Sequence, residues 1–340
     1  MHLRGPCSSA RFSPQQTLTQ YLESKRRRAP ADSPVPSDLE EVGMLSGCIT
    51  ALVTPFRNGR LDIAGFRRNV RFQIRNGVSG LLVAGSTGES PTLTAEEKER
   101  LLDVAKAEVD GSGIPVVAGV GTNDTARSVE QARAARKAGA DALLVVAPYY
   151  NKPTTEGLFL HFRAVAEATE LPNIIYNIPG RSGVNIAPAT IERLCRSCSN
   201  IVAVKEASGS LDQTTEILCR CGNRVTVLSG DDSLTLPILA AGGKGVISVV
   251  SNIVPGDTSS MVEHFLAGRL SEAQRLHWRL FALIKVLFIE SNPIPVKAAM
   301  EILGMAAGEP RLPLCRPSDE HLAIIRQALV DYGLLDGSRR

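Results

Sequence analysis

Short apolar runs recur along most of this chain, separated by amphipathic stretches of ordinary helix length. The runs cover 50–54, 80–85, 115–120, 142–148, 173–179, 201–206, 225–230 and 245–250. They are nearly continuous rather than alternating, as expected for strands buried on both faces. The stretches between them carry helix-start signals. Thr94-Ala95-Glu96-Glu97 and Ser210-Leu211-Asp212-Gln213 fit the capping box. Asp62 and Asn123 are placed to cap two further helices, and Gly139 to stop one before the fourth strand. Eight strand–helix units in succession predict an α/β fold, a (β/α)8 TIM barrel. An open doubly wound sheet is the alternative. It calls for a glycine fingerprint after the first strand, and Thr54-Pro55-Phe56 is not one. Beyond residue 270 the strand pattern stops. Helices are predicted over 271–290, 294–304 and 318–332, punctuated by Pro293, Pro295, Pro310, Pro313 and Pro317. The chain thus divides into a barrel over 44–270 and a small C-terminal helical region over 271–340.

Residues 1–43 show no period and are rich in Ser, Pro, Arg and Gln. They read as a disordered extension, with Met44 standing just before the first strand as a candidate translation start. The extension lacks the apolar centre of a signal peptide. Its acids, Glu23, Asp32, Asp38, Glu40 and Glu41, argue against an organellar transit peptide. A cytoplasmic location is expected. The hydrophobic content, 44%, is enough for a large core. Of the formal net charge of +3, part lies in the Lys25-Arg26-Arg27-Arg28 run and the Arg339-Arg340 tail. The body is therefore near neutral, and aromatics are only 4%. A nucleic-acid partner would call for a basic face with stacking residues, and none is visible. No apolar run reaches the length of a membrane span. Seven cysteines in a chain without a secretory signal read as reduced thiols. Cys195-x-x-Cys198 and Cys219-x-Cys221 fall on helix patterns rather than knuckle turns, so packed thiols are preferred to a zinc site.

In this fold the active site lies at the C-terminal ends of the strands. Those ends carry Gly85-Ser86-Thr87-Gly88-Glu89-Ser90, Pro148-Tyr149-Tyr150-Asn151, Tyr176-Asn177-Ile178-Pro179-Gly180-Arg181, Lys205, Ser229-Gly230-Asp231-Asp232, and Ile247 with Ser248. A lysine closing the apolar run Ile201–Val204 loses hydration, which favours its neutral, nucleophilic form. Taken alone, the segment fits better a lysine that leaves the barrel and snorkels into water. The converging hydroxyls change that balance toward carbonyl chemistry. Schiff-base formation needs proton transfers, for which Tyr176 and Tyr150 are candidates. The Gly-Ser-Thr-Gly turn offers N–H groups and hydroxyls to a carboxylate, and Arg181 offers a bidentate clamp to a second one. Each has a bland counterpart: a common turn, core-edge tyrosines, a loop ion pair. Tyr149 and Tyr150 cannot both face the barrel mouth if the chain there is extended. Asp231 and Asp232 are expected to cap the next helix rather than bind metal. They would repel a phosphate, so an unphosphorylated keto acid is the expected substrate class. No metal or cofactor is called for.

These motifs, in this order, resemble the dihydrodipicolinate synthase family, within the N-acetylneuraminate lyase superfamily of pyruvate-dependent class I aldolases. The resemblance runs from Gly47 to near residue 330. It includes Val204-Lys205-Glu206-Ala207-Ser208-Gly209, Leu228-Ser229-Gly230-Asp231-Asp232, Gly245-Val246-Ile247-Ser248-Val249 and Asn292-Pro293-Ile294-Pro295-Val296-Lys297. It implies that Lys205 forms a Schiff base with pyruvate and that Tyr176 moves the protons, in a relay with Ser86 and Tyr150. It further implies that Thr87 and the backbone of Ile247 hold pyruvate and that Arg181 meets the carboxylate of L-aspartate 4-semialdehyde. The product would be 4-hydroxy-tetrahydrodipicolinate, on the route to diaminopimelate and lysine. The family's assembly is a tetramer of two tight dimers, in which Tyr150 serves a neighbour's site. Other keto-acid aldolases of the superfamily, or a non-catalytic keto-acid-binding relative, are the alternatives; Arg181 separates the synthases from the sialic-acid lyases.

Two departures stand out. Most synthases have threonine where this chain has Ser86, which keeps the hydroxyl but frees its rotamer. Lysine-inhibited members line an allosteric pocket with histidines and a glutamate. The corresponding residues here are Ala95, Lys98 and Arg127, although Asn123 and Tyr149 remain. Two cations would repel a lysine ammonium, so weak or absent inhibition by lysine is expected.

Overall fold

The computed structural model describes residues 45–336. The predicted extension over 1–43 and Met44 lie outside the described residues. Strand β1 (Gly47–Ala51) opens the described chain. A hairpin follows, β2 (Phe56–Arg57) and β3 (Arg60–Leu61), turning on Asn58 and Gly59 with φ of 52° and 74°. Both turn residues are left-handed, as a two-residue Asn-Gly hairpin requires. Helix α1 (Ile63–Arg75) leads to β4 (Gly80–Val83), α2 (Ala95–Val109) to β5 (Val116–Gly119), and α3 (Thr125–Lys137) to β6 (Ala142–Val146). Helix α4 (Thr155–Ala166) leads to β7 (Asn173–Asn177); the short α5 (Pro179–Ser182) and α6 (Pro188–Ser197) lead to β8 (Ile201–Glu206). Next come α7 (Leu211–Cys221), β9 (Thr226–Ser229), α8 (Thr235–Ala241) and β10 (Gly245–Ser248). The chain finishes with α9 (Pro255–Leu266), α10 (Leu270–Val286), α11 (Ile294–Ile302) and α12 (Asp319–Tyr332).

Eight parallel strands close into a barrel in the order β1-β10-β9-β8-β7-β6-β5-β4. Closure runs through β1, which pairs Gly47 with Gly245 on one side and Ile49 with Gly80 on the other. The (β/α)8 barrel with C-terminal helices is thus the fold, as the rhythm of apolar runs predicts. Side chains alternate across the barrel wall. Ile49, Leu82, Val117, Leu144, Ala203 and Leu228 fill the interior. Leu81, Val116, Leu143, Ile175, Val204 and Val227 face outward against the helices. Each such large apolar side chain contributes about 1.5–3 kcal/mol by leaving water. The C-terminal helices share a core with the barrel, where Leu280, Leu283 and Val296 pack with Cys48, Val53 and Val246.

The caps refine the sequence reading. Asp62 accepts the Gly65 N–H at 2.8 Å, and Thr94 forms the complete capping box with Glu97. At Ser210 only half of the box forms, because the Gln213 amide turns to Glu206 and Asn185 instead. Asn123 does not cap α3. Asp124 does, accepting from Ala126 N and Arg127 N at 2.9 and 3.4 Å, since it is the residue directly before the first helical position. Gly139 takes φ 81° past the end of α3, the conformation the stop requires.

Candidate active site

Tyr176 and Lys205 are register partners on adjacent strands β7 and β8. Parallel pairing at one level sends both side chains to the same face, here the barrel interior. The Lys205 ammonium lies 4.2 Å from the centroid of the Tyr176 ring. Both are buried, with 5% and 4% of their surface exposed. Burial pulls the Lys205 pKa down to about 7; the charge of Asp232 opposes that fall and Arg181 assists it. Burial pushes the Tyr176 phenol up to about 12, against the pull of Arg181 and a hydrogen bond with Ser86. The pair therefore holds an amine that is substantially neutral at physiological pH beside a phenol that keeps its proton. The snorkelling alternative for Lys205 is set aside, because its side chain stays inside.

The residues on the other side of each strand hold this pair in place. Asn177 and Glu206 are also register partners, but face outward. The Asn177 amide donates to both Glu206 oxygens at 3.2 and 3.1 Å. Ser208 N and the Gln213 side chain donate to the same carboxylate at 2.6 and 3.1 Å. A buried carboxylate is thus satisfied by neutral donors, tying the ends of β7 and β8 together one residue past Tyr176 and Lys205.

The Gly85–Glu89 loop supplies Ser86 and Thr87. It is bracketed by two non-glycine residues in the left-handed region, Ala84 (φ 54°) and Glu89 (φ 57°). Such residues cost on the order of 1–3 kcal/mol each and persist only where surroundings impose them. One such constraint lies on the next strand. A Cβ on Gly119 would come within 2.2 Å of the Ala84 carbonyl oxygen, so only glycine lets the loop turn there. Another is Glu89, whose carboxylate pairs with Lys297 of α11 at 2.6 Å, each side chain only 1% exposed. Glu89 also accepts Arg311 N at 2.8 Å.

Asn292 joins this loop to Arg181. Its side chain donates to Thr87 Oγ1 at 2.9 Å, and its backbone carbonyl accepts from Arg181 Nη2 at 2.7 Å. Asn292 Oδ1 is buried without a hydrogen-bond partner among the described residues. Nothing in the sequence around Asn292 marks it for the site; only tertiary packing brings it to the barrel mouth. Asp231 caps the short turn after β9, accepting from Ser233 N at 2.8 Å, as expected. Asp232 does not cap. It accepts the N–H groups of Val249 and Val250, just past the end of β10, at 2.9 and 3.0 Å. Burial raises its pKa. It thereby fixes the chain directly after Ile247, which lies on the inner face near Tyr176 and Leu228.

A cavity of about 470 Å³ opens over this group. Ser86, Tyr176, Arg181 and Asn292 line it, together with Lys98, Asn123, Arg127, Gln131 and Tyr149. Lys205, Thr87 and Ile247 lie buried outside its lining, so the Tyr176 ring is the link between cavity and amine. Tyr149 lines the cavity, whereas Tyr150 is 89% exposed with φ 74°. The two neighbours do face opposite ways, and Tyr150 alone of the expected site residues stands apart from the rest. Ala95 does not line the cavity. Cys195 lies on α6, and Cys219 and Cys221 on α7. Among the described residues no three His, Cys, Asp or Glu side chains are grouped to hold a metal ion. No helix among them is long and apolar enough to cross a membrane.

Comparison with known proteins gives a consistent result. A family model described as the dihydrodipicolinate synthetase family matches residues 44–331. The 4-hydroxy-tetrahydrodipicolinate synthase of Geobacter sp. (strain M21) is 50% identical over 292 residues, covering 86% of this chain and all of that protein. The enzyme of the same name from Methanocaldococcus jannaschii is 48% identical over the same span, again covering 86% of this chain and all of that protein. The crystal structure of the Thermotoga maritima dihydrodipicolinate synthase superposes with a TM-score of 0.84 at 43% identity, over 86% of this chain and 100% of that one.

Proposed function

Because the chain belongs to the dihydrodipicolinate synthetase family, we propose that it is a lyase that condenses pyruvate with L-aspartate 4-semialdehyde to give 4-hydroxy-tetrahydrodipicolinate. One observation carries the reading. A lysine amine with pKa near 7 lies inside the barrel against a phenol that is itself bonded to Ser86. A binding protein for keto acids has no need of a desolvated nucleophile, which costs stability.

In this reading the neutral Lys205 amine attacks the C2 carbonyl of pyruvate. Tyr176 protonates the carbinolamine oxygen, which leaves as water, and the imine forms. The Tyr176 phenolate left by that transfer takes up a C3 proton, which gives the enamine and restores the phenol. Its carbon attacks the aldehyde of the second substrate, whose oxygen takes up a proton from the phenol. The substrate's own amine then attacks the imine carbon, closing the ring and releasing Lys205. Ser86 donates to or accepts from the phenol as it cycles. Thr87, held by Asn292, and the backbone at Ile247 receive the pyruvate carboxylate. Arg181, held through the Asn292 carbonyl, clamps the carboxylate of the aldehyde. Tyr150 completes the hydroxyl relay in the site of a second copy; its exposure and its absence from its own cavity support that assignment and a homotetramer built from tight dimers. No cofactor is required, because the amine is the covalent catalyst.

The aldehyde is tested by supplying pyruvate with a panel: aspartate semialdehyde, a 2-keto-3-deoxy-acid-forming sugar aldehyde and N-acetylmannosamine. Product formation fastest with aspartate semialdehyde is expected. Preference for either sugar would reassign the chain within the superfamily.

A further inference from the structure

A carboxylate that the proposed steps do not use lies close to the reactive lysine. Asp232 follows β9, the strand that pairs with β8, and Leu228 of β9 is the register partner of Lys205. Gly230, two residues before Asp232, packs against the lysine stem: a Cβ there would come within 3.1 Å of Lys205 Cγ. Asp232 is itself only 3% exposed. One of its oxygens, Oδ2, accepts the N–H groups of Val249 and Val250. The other, Oδ1, is buried without a hydrogen-bond partner among the described residues. No lysine, arginine or histidine among them pairs with it at ion-pair distance. A buried carboxylate in that state is costly unless a cation stands near it.

The groups around the Lys205 amine leave it one counter-charge. Glu206 adjoins it in sequence but faces outward, where Asn177, Ser208 and Gln213 satisfy it. Glu89 is closed by Lys297. Asp231 is partly exposed and is bonded to Ser233 through both N–H and hydroxyl. Tyr176 and, beside Asp232, Cys48 keep their protons, each pushed up to about 12 by burial. Arg181 has the same sign as an ammonium and opposes it, whereas the charge of Asp232 supports it.

That support matters most after the amine has reacted. Attack on the carbonyl, transfer of a proton from the phenol and loss of water turn the neutral amine into a cationic iminium. The Tyr176 phenolate formed with it is no standing counter-charge, because burial favours its protonated form. We propose that the ionised carboxylate of Asp232 is the counter-charge of this iminium. Two N–H donors on Oδ2 favour the ionised form, and a cation at Lys205 favours it further. Asp232 is thus a positioning residue that acts through Lys205 and does not touch the substrate. The inference rests on the aldolase reading and deepens it.

Borohydride trapping of the pyruvate adduct on the full chain, timed across pH 5–9, tests it. Asp232→Asn keeps an oxygen for the two N–H groups and removes the charge; Asp232→Ser removes the charge with a different shape. The Asp232 charge raises the Lys205 pKa, so the midpoint of imine formation should fall below 7 in both variants, by about half a unit or more. The pyruvate concentration giving half-maximal adduct at pH 8 should rise at least tenfold, because the iminium loses its counter-charge. A merely structural role would admit water to Lys205 and move the midpoint the other way, toward that of an ordinary lysine. Asp231→Asn, one position away, should shift the midpoint by less than half as much. A midpoint that stays or rises in the Asp232 variants, an unchanged pyruvate requirement, or an equal fall in Asp231→Asn would overturn the inference and leave the aldolase reading standing. No adduct in the wild-type protein would remove that reading and the inference with it.

Discussion

The Glu89–Lys297 pair is the sharpest place to perturb the site without touching the reactive groups. Lys297→Met keeps the length of the stem and removes the ammonium. The lysine nitrogen also donates to the Thr54 carbonyl at 3.2 Å and lies 4.5 Å from the centroid of the Phe56 ring. Removing it strands a carboxylate that is 1% exposed, with only Arg311 N still donating to it. Breaking one side of a buried ion pair costs about 3–5 kcal/mol, because the surviving charge is left unpaired. For a domain of this size that corresponds to a loss of roughly 5–10 °C in Tm. Glu89→Gln leaves the opposite charge stranded and should cost a similar amount. The double variant strands neither, so its loss should fall short of the sum by about 2 kcal/mol. Glu89 ends the loop that carries Ser86 and Thr87, so kcat should fall about tenfold to a hundredfold through misplaced hydroxyls. Urea unfolding at fixed protein concentration, with steady-state kinetics, reads both effects. A loss under about 1 kcal/mol in the single variants, or additive losses in the double, would refute the reasoning.

Three further outcomes follow from the site. Lys205 loses its proton with a pKa of about 7, so the rate of imine formation should rise with pH through 7 and level off above 8; continued rise toward pH 10 would show an unperturbed lysine. At pH 7.4 the lowered pKa raises the neutral fraction about a thousandfold over an ordinary lysine. Arg181→Met should raise KM for the aldehyde at least tenfold while pyruvate still forms its adduct, and an equal rise for pyruvate would move Arg181 to the other carboxylate. L-Lysine should inhibit weakly or not at all, given Lys98 and Arg127 in the cavity wall; half-inhibition by sub-millimolar lysine would contradict this.

The barrel was legible because its strands are buried on both faces and its helices are not, so the apolar runs stand out against amphipathic background. Edges were less so. The first strand begins at Gly47 rather than 50, because pairing with β10 starts at a glycine and a cysteine that no hydrophobic run announces. The Asn58-Gly59 hairpin carries its own turn signal but lies outside the strand–helix rhythm. Lys205, Tyr176 and Arg181 could be placed at the mouth from strand ends alone. The supports could not. Asn292 reaches Thr87 across 205 positions of sequence and Lys297 reaches Glu89 across 208. Asp232 looks like a cap for α8 in sequence and is a strut in space, because the N–H groups of Val249 and Val250, just past β10, donate to its carboxylate. Local pattern names the reactive groups; long-range closure of the C-terminal helices sets their geometry.

The claim at the centre is that Lys205 forms an imine with pyruvate. Incubation of the intact protein with pyruvate and borohydride, followed by peptide mass spectrometry, tests it directly. The expected result is one reduced pyruvate adduct per chain, on the peptide containing Lys205. No adduct on folded protein, or an adduct on another lysine such as Lys98, would contradict the mechanism and return the chain to a keto-acid-binding role.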